Sequence, residues 1–309
     1  MENSRPHDHR RFLTVVISVL LAIALTQGLR AAEREPLNIL LTNDDGFEAP
    51  GIRAIHQVLV AAGHNITVVA PLGNQSGSSV RITTGGVLGF TQQAPGIWSV
   101  DGSPADSVLV GLRHIFKGAD LPDIVISGAN FGHNLGYASI SGTVGAATMA
   151  MYEGVPAIAV SVGVDDSERD AAPVQYPSTI GAFAGAAHLT LTILDELQGA
   201  VRNTEGLLPP HTILNVNYPA VSADELKGVR MAIASRGATG YLIDYEDSEQ
   251  SGQLDVKLTV ARPGKEGDSD TDMELFFERY ATITVLDGDW DAGINLRTDV
   301  AGRLLDIVE

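Results

Sequence analysis

Residues 38–71 read NILLTNDDGFEAPGIRAIHQVLVAAGHNITVVAP, and the fold class follows from this stretch. Ile39-Leu40-Leu41 is a short apolar run between polar residues, which predicts a buried strand over Asn38–Thr42. From Pro50 to Ala62 the spacing turns helical, with Ile52, Ile55, Val58, Leu59 and Ala62 on one face. Pro50 suits a first helical turn and Gly63 a stop. Ile66–Ala70 is a second apolar strand, ended by Pro71. Two buried strands joined by a helix make a right-handed βαβ crossover, so the strands are parallel.

The same rhythm continues outward. Helices are predicted over 104–116, 143–153 and 180–197, and strands over 123–127, 157–161 and 212–216. Continuous apolar strands between helices imply a sheet covered on both faces. Residues 78–100 break the pattern: Val80, Ile82, Val87, Leu88 and Phe90 sit among Gly and Thr, which suggests a hairpin excursion. After Pro219, strands are predicted over 229–234, 240–244, 254–260 and 280–285, with acidic loops between them and a helical tail near Leu304. The expected architecture is α/β: a Rossmann-like open, mainly parallel sheet with helices on both faces, plus an antiparallel C-terminal extension. Residues 37–220 form the core, and 221–309 are the extension and C-terminal arm of the same domain.

The chain has 309 residues, with 20 Lys and Arg against 38 Asp and Glu, a net charge of -18. That balance excludes a phosphate-tracking groove, which needs a basic stripe. Cysteine is absent, which removes disulfide frameworks, thiolate zinc sites and Cys nucleophiles. At the start, Arg10 and Arg11 precede an apolar segment from Phe12 to Leu25, followed by Leu29-Arg30-Ala31. This is the pattern of a cleavable signal peptide over residues 1–31, and it predicts a periplasmic or secreted protein. The alternative is an uncleaved N-terminal membrane anchor. Without those residues the chain carries 16 basic and 36 acidic side chains, a net charge of about -20.

Ligands of open α/β sheets bind outside the carboxyl ends of the strands. Three polar loops fall there. Asn43-Asp44-Asp45-Gly46 puts two adjacent carboxylates on a tight turn, an arrangement that calls for a cation or hydrogen-bond donors. Gly73–Ser79 is small and rich in hydroxyls, able to approach an anion with its backbone. Gly128–Gly136 leads to Ser141-Gly142-Thr143 at a helix start, where amides and hydroxyls make an anion seat. Singly, Asp-Asp-Gly reads as a turn and Ser-Gly-Thr as a helix cap. Jointly they suit metal-assisted phosphoryl hydrolysis. His133 is a candidate base or a loop histidine without chemistry. Residues 266–272 are an acidic loop: a solvated turn or, alternatively, a calcium loop.

Six ordered segments resemble the SurE family of stationary-phase survival nucleotidases. They are ILLTNDDGFEAPGI (39–52), VVAPLGNQSGSS (68–79), DGSPADSV (101–108), PDIVISGANFGHNLG (122–136), SGTVGAA (141–147) and GVPAIAVS (154–161), with TILNVNYP (212–219) similar to the strand closing the family core. The resemblance implies a divalent-metal phosphatase acting on nucleoside 5′- and 3′-monophosphates, with no nucleic-acid partner. It implies that Asp44, Asp45, Ser76 and Asn130 hold one metal ion, with Asp45 or Asp44 as the catalytic carboxylate. It implies phosphate contacts at Asn43, Gly77, Ser141, Gly142 and Thr143, and a homodimer or dimer of dimers with an exchanged C-terminal arm. That donor set is all oxygen, which favours Mg²⁺ or Mn²⁺ over Zn²⁺.

Two departures flank the pocket. Leu72 and Gly73 stand where the family has an acid and a base, and Tyr137–Ile140 is one residue short and lacks the aromatic before Ser-Gly-Thr. Both bear on base preference. A broad acid phosphatase is therefore an alternative within the same class. From other classes, a receiver-like module needs an acceptor aspartate where Asn130 stands, and a binding protein has no use for paired carboxylates.

Overall fold

The structure, a computed structural model, describes residues 35–117, 121–136, 138–168, 176–200, 206–235, 241–250, 252–260 and 270–288, with Asn295, Thr298, Ala301 and Arg303. The signal segment 1–31, Tyr137, most of the acidic loop 266–272 and the tail at Leu304 lie outside the described residues. The described residues from Leu37 onward belong to one compact unit.

The opening βαβ unit forms where its pattern places it: β1 Asn38–Thr42, α1 Pro50–Ala61 and β2 Asn65–Pro71. There follow β3 Phe90–Ala94, β4 Ile97–Val100, α2 Pro104–Val110, β5 Ile124–Phe131, α3 Gly142–Tyr152, β6 Ala157–Val162, α4 Pro177–Ala200 and β7 Ile213–Tyr218. The last part holds β8 Gly228–Ala232, β9 Tyr241–Asp247, β10 Leu254–Val260, α5 Asp272–Phe277 and β11 Tyr280–Leu286.

Nine strands form one sheet in the order β3-β4-β2-β1-β5-β6-β7-β11-β8, and β9 and β10 form a separate ribbon. From β4 through β7 every pairing is parallel. Successive residues of the central strands supply opposite layers. Ile39, Leu41, Ile124 and Ile126 pack with Ile52, Ile55 and Leu59 of α1 and Phe183 of α4. Leu40 and Val125 pack with Val108 of α2 and Val144 and Ala147 of α3. Burial of each such side chain is worth about 1.5–3 kcal/mol. α1 sits so close to β5 that a Cβ on Gly51 would lie 1.9 Å from the Ala129 carbonyl oxygen.

After β1 the chain builds the sheet on one side through β2 and β4, then crosses to β5 on the other side. The β1/β5 border is thus the topological switch point, where open sheets bind ligands.

Four expectations need amending. Residues 80–88 form no strand, and the hairpin begins only at Phe90. The helix over 104–116 is α-helical to Val110 and ends in a π-turn, Gly111–Ile115. In the extension, β11 joins β7 antiparallel, but β8 lies parallel to β11 at the sheet edge. Residues 272–277 are helical. This short helix is held by Thr271, whose hydroxyl accepts from the Glu274 amide, and by its own Phe276 and Phe277, which pack on His133, rather than by a long amphipathic repeat.

Candidate active site

β1 delivers its loop to the switch point, and Asn43 closes it. Its side-chain Nδ2 donates to the Gly46 carbonyl at 2.8 Å, and its Oδ1 accepts from the Gly46 amide at 3.2 Å. Gly46 has φ +110°, open to glycine at little cost. Asn43 is thereby spent on holding the turn that presents Asp44 and Asp45, rather than offered to a phosphate.

Asp44 is 2% exposed and lies against the start of α3. Thr143 Oγ1 donates to its Oδ1 at 2.6 Å, and the amides of Gly142 and Thr143 also donate to it. Burial raises its pKa, and these donors oppose the rise. Ser141 caps the helix, its Oγ accepting from the Val144 amide at 3.2 Å. A Cβ on Gly142 would lie 2.6 Å from Ser78 Oγ and 2.8 Å from Asp44 Cβ, so only glycine fits between carboxylate, hydroxyl loop and helix.

Asp45 is less buried and is held from two sides. The Phe131 amide donates to Oδ2 at 2.8 Å and Asn74 Nδ2 to Oδ1 at 3.4 Å. Burial and then the charge of Asp44 push its pKa up to about 6, against the pull of the Phe131 N–H. The β5–β6 register slips between Ser127 and Asn130, a bulge that re-aims the strand end carrying Asn130. Asn130 is buried; its Nδ2 donates to the Gly132 carbonyl at 2.7 Å, leaving Oδ1 as the atom able to act as a lone-pair donor.

The hydroxyl loop is laced to both acids. The Gln75 amide donates to the Asp44 carbonyl at 2.7 Å. Ser76 is exposed, and its amide donates to Oδ1 of Asn74, the residue that also holds Asp45. Gly77 takes φ +74°. Ser79 donates from Oγ to the Ser139 carbonyl at 2.7 Å, docking the loop before α3. Between them, Ser78 Oγ is buried without a hydrogen-bond partner beside Asp44. Ser78 is the residue that motif reading passes over; the only signal is its place in a run of hydroxyls.

The structure therefore brings Asp44, Gly142 and Thr143 into direct contact beside the helix cap Ser141, and ties Asp45 to Ser76 through Asn74 and to the strand end of Asn130 through the Phe131 amide. Thr143 is expected on the phosphate, and its hydroxyl is instead on Asp44. Among the described residues no three His, Cys, Asp or Glu side chains converge. The donor set is two carboxylates plus neutral oxygens, and no cationic side chain is among the groups that set either carboxyl pKa. Two abutting acids without a counter-charge, beside an orphaned hydroxyl, fit a hard divalent cation.

His133 is 1% exposed and turned into an aromatic cluster. Its ring stacks on Tyr241 at 4.3 Å and 12°, and Phe276 lies at 5.1 Å. That packing favours a structural role for His133 over that of a base. Asp272, from the acidic loop, is also buried: its carboxylate accepts from the amides of Gly136, Ser235 and Met273 and from Ser235 Oγ. These donors leave no reason for a calcium ion at that residue.

Fold and site together define a doubly wound α/β protein with an acidic site at its switch point. A family model described as Survival protein SurE matches residues 39–240. The chain belongs to the SurE family. It is 34% identical over 260 residues to 5′-nucleotidase SurE 1 of Burkholderia lata, covering 82% of this chain and 92% of that one. With 5′-nucleotidase SurE of Methylococcus capsulatus the identity is 38% over 195 residues, 63% of this chain and 69% of the other. The crystal structure of the SurE protein from Aquifex aeolicus superposes with a TM-score of 0.69 at 28% identity, covering 86% of this chain and 99% of that chain.

Proposed function

We propose that this protein is a divalent-metal-dependent phosphomonoesterase that releases phosphate from nucleoside 5′-monophosphates, and also from 3′-monophosphates. The observation that carries the reading is the pair Asp44–Asp45 at the β1/β5 switch point, one acid seated on the start of α3 and the other held near a pKa of about 6. The relatives named 5′-nucleotidase support the substrate class.

Asp44, Asp45, Ser76 and Asn130 are the residues that would hold the cation. When bound, a divalent cation polarises a phosphoryl oxygen and lowers the pKa of a water. The chain supplies the rest. Asp44 cannot swing, because Thr143 and two amides anchor it. Asp45, raised to about 6 before any cation binds, is the carboxylate placed to accept a proton from attacking water. Ser141, Gly142, Thr143 and Gly77 lie at the start of α3 and in the loop beside it, and are the residues that would meet the phosphoryl group there.

The decisive experiment measures phosphate release from 5′- and 3′-nucleotides and from a simple aryl phosphate, after chelation and after adding Mg²⁺ or Mn²⁺. Metal-restored turnover of nucleotides is expected. Activity in the fully chelated enzyme would sink the metal reading, and equal turnover of all esters would favour the broad phosphatase.

Two further parts of the reading concern the whole chain. Residues 1–31 direct it out of the cytoplasm and are removed; intact mass of the exported protein tests this, and retention of the segment would refute it. The ribbon β9–β10 presents Ile243, Tyr245, Leu254, Val256 and Leu258 on one exposed face. A two-stranded ribbon is marginal by itself, and a second copy of this chain is the partner that covers it.

A further inference from the structure

We infer that Tyr241, at the root of that ribbon, is a positioning residue for Asn130, and so for the metal site; the inference rests on the metal reading above. Three observations on one short path carry it.

The first is the stack: the Tyr241 ring lies 4.3 Å from the His133 ring at an interplanar angle of 12°, and its hydroxyl is 3.3 Å from His133 Nδ1. The second is contact with the backbone between His133 and Asn130. Gly132 has φ +122°, and a Cβ there would lie 2.8 Å from the Tyr241 hydroxyl oxygen, so ring and loop are packed to the limit of a glycine. The third is the link to the ligand itself. Asn130 Nδ2 donates to the Gly132 carbonyl at 2.7 Å, and this bond decides which end of the amide is available as an oxygen donor.

The Val162 carbonyl holds the Gly132 amide, and Ser161, Asn215 and Asn217 hold Asn134, so what Tyr241 adds is the packing on His133, between them, and on the Gly132 backbone. Phe276 of α5, 5.1 Å from His133, backs the stack from the main body. The clamp is therefore closed from two sides, by α5 and by the first residue of β9. Its physical effect is to hold one rotamer of Asn130 before any cation arrives. A group that orients a ligand without touching the metal characteristically changes affinity about 10- to 100-fold on removal.

The test titrates Mn²⁺ into the chelated full-length protein, followed by electron paramagnetic resonance of the free ion, alongside nucleotide turnover across a range of Mn²⁺. For Tyr241→Ala an affinity loss of about tenfold or more is expected, with turnover recovering at high Mn²⁺. Tyr241→Phe keeps the ring and is expected to restore affinity to within about threefold of the parent. Tyr245→Ala, on the exposed face of the same ribbon, controls for assembly. Parental Mn²⁺ affinity in Tyr241→Ala would overturn the inference. So would an equal loss in Tyr245→Ala, which would assign the effect to assembly, or no rescue by Phe. Should Tyr241→Ala fail to fold, Tyr241→Leu, which fills the volume without stacking, is read in the same way. Absence of Mn²⁺ binding in the parent would instead fail the metal reading itself.

Discussion

Asp45 combines two demands that oppose each other: it must be buried enough to sit beside Asp44 and ionised enough to serve a cation. Asp45→Asn keeps the shape and the Phe131 contact but loses the charge and the proton acceptor. Turnover is expected to fall about 10²- to 10³-fold, measured as kcat on a nucleoside 5′-monophosphate at saturating metal. Gly142→Ala probes the opposite feature, space. Its methyl would meet Ser78 Oγ and Asp44 Cβ inside 3 Å, so either the hydroxyl loop or the acid must shift. Loss of most activity with a folded circular-dichroism spectrum is expected; parental kcat would show that the three groups are not held as tightly as described. Asp44, Ser78 and Gly142 come from two loops and a helix start, and no local pattern ties them together.

At the scale of elements, α2 shows how a helix start is secured. Ser103 accepts from the Asp106 amide at 3.0 Å, and Asp106 accepts from the Ser103 amide at 2.9 Å, a complete capping box. Asp106 also takes the amide and hydroxyl of Thr83, pinning the long connection from the hydroxyl loop to this helix. Ser103→Ala is expected to cost about 1–2 kcal/mol, read as a shift in the denaturation midpoint. Burial pushes the Asp106 carboxyl up, yet the donors of Thr83 and Ser103 outweigh it and leave its pKa lowered. The stability Asp106 adds is therefore present above its unfolded pKa and lost as pH falls through the lower folded value. The capping pattern Ser-Pro-Ala-Asp was there to be read in residues 103–106. The π-turn that ends the helix was not; it begins at Gly111, where a Cβ would lie 2.8 Å from Leu40 Cδ2, a contact only the tertiary fold creates.

Across the whole molecule, the acid pair has the opposite linkage. Asp45 is raised from 3.8 to about 6, so the metal-free fold binds more protons than the unfolded chain between those values. Stability from this source is full below about pH 4 and declines as pH rises toward 6. A divalent cation binds the ionised pair, so the gain in Tm on adding Mg²⁺ or Mn²⁺ should grow over the same interval. A metal-induced Tm gain that is flat from pH 4 to 7 would contradict this. The ribbon face yields a second test at this scale. Val256→Lys or Ile243→Lys should lower the sedimentation-measured mass to that of one chain; an unchanged oligomer would place the interface elsewhere. The net charge of -18 adds a third: turnover of internal linkages in a long polynucleotide should be far slower than that of a mononucleotide.

What the sequence by itself determined is the layered α/β body and the whereabouts of its site. Short apolar runs and one-sided helices leave few packings, and the crossover rule leaves one hand. The Asp-Asp, hydroxyl and Ser-Gly-Thr segments were legible because each is a local signal at a strand end. Tertiary structure alone decided what each group does there. Thr143 reaches Asp44 across 99 residues, and Asp45 meets the Phe131 amide across 86. His133, plausible as a base in isolation, became a stacked core residue because β9 and α5 arrive from the far end of the chain. The parallel edge pair β8–β11 is equally non-local. Local sequence sets which elements form; the burial, charge and donors around a side chain come from residues distant in the chain, and these set its chemistry.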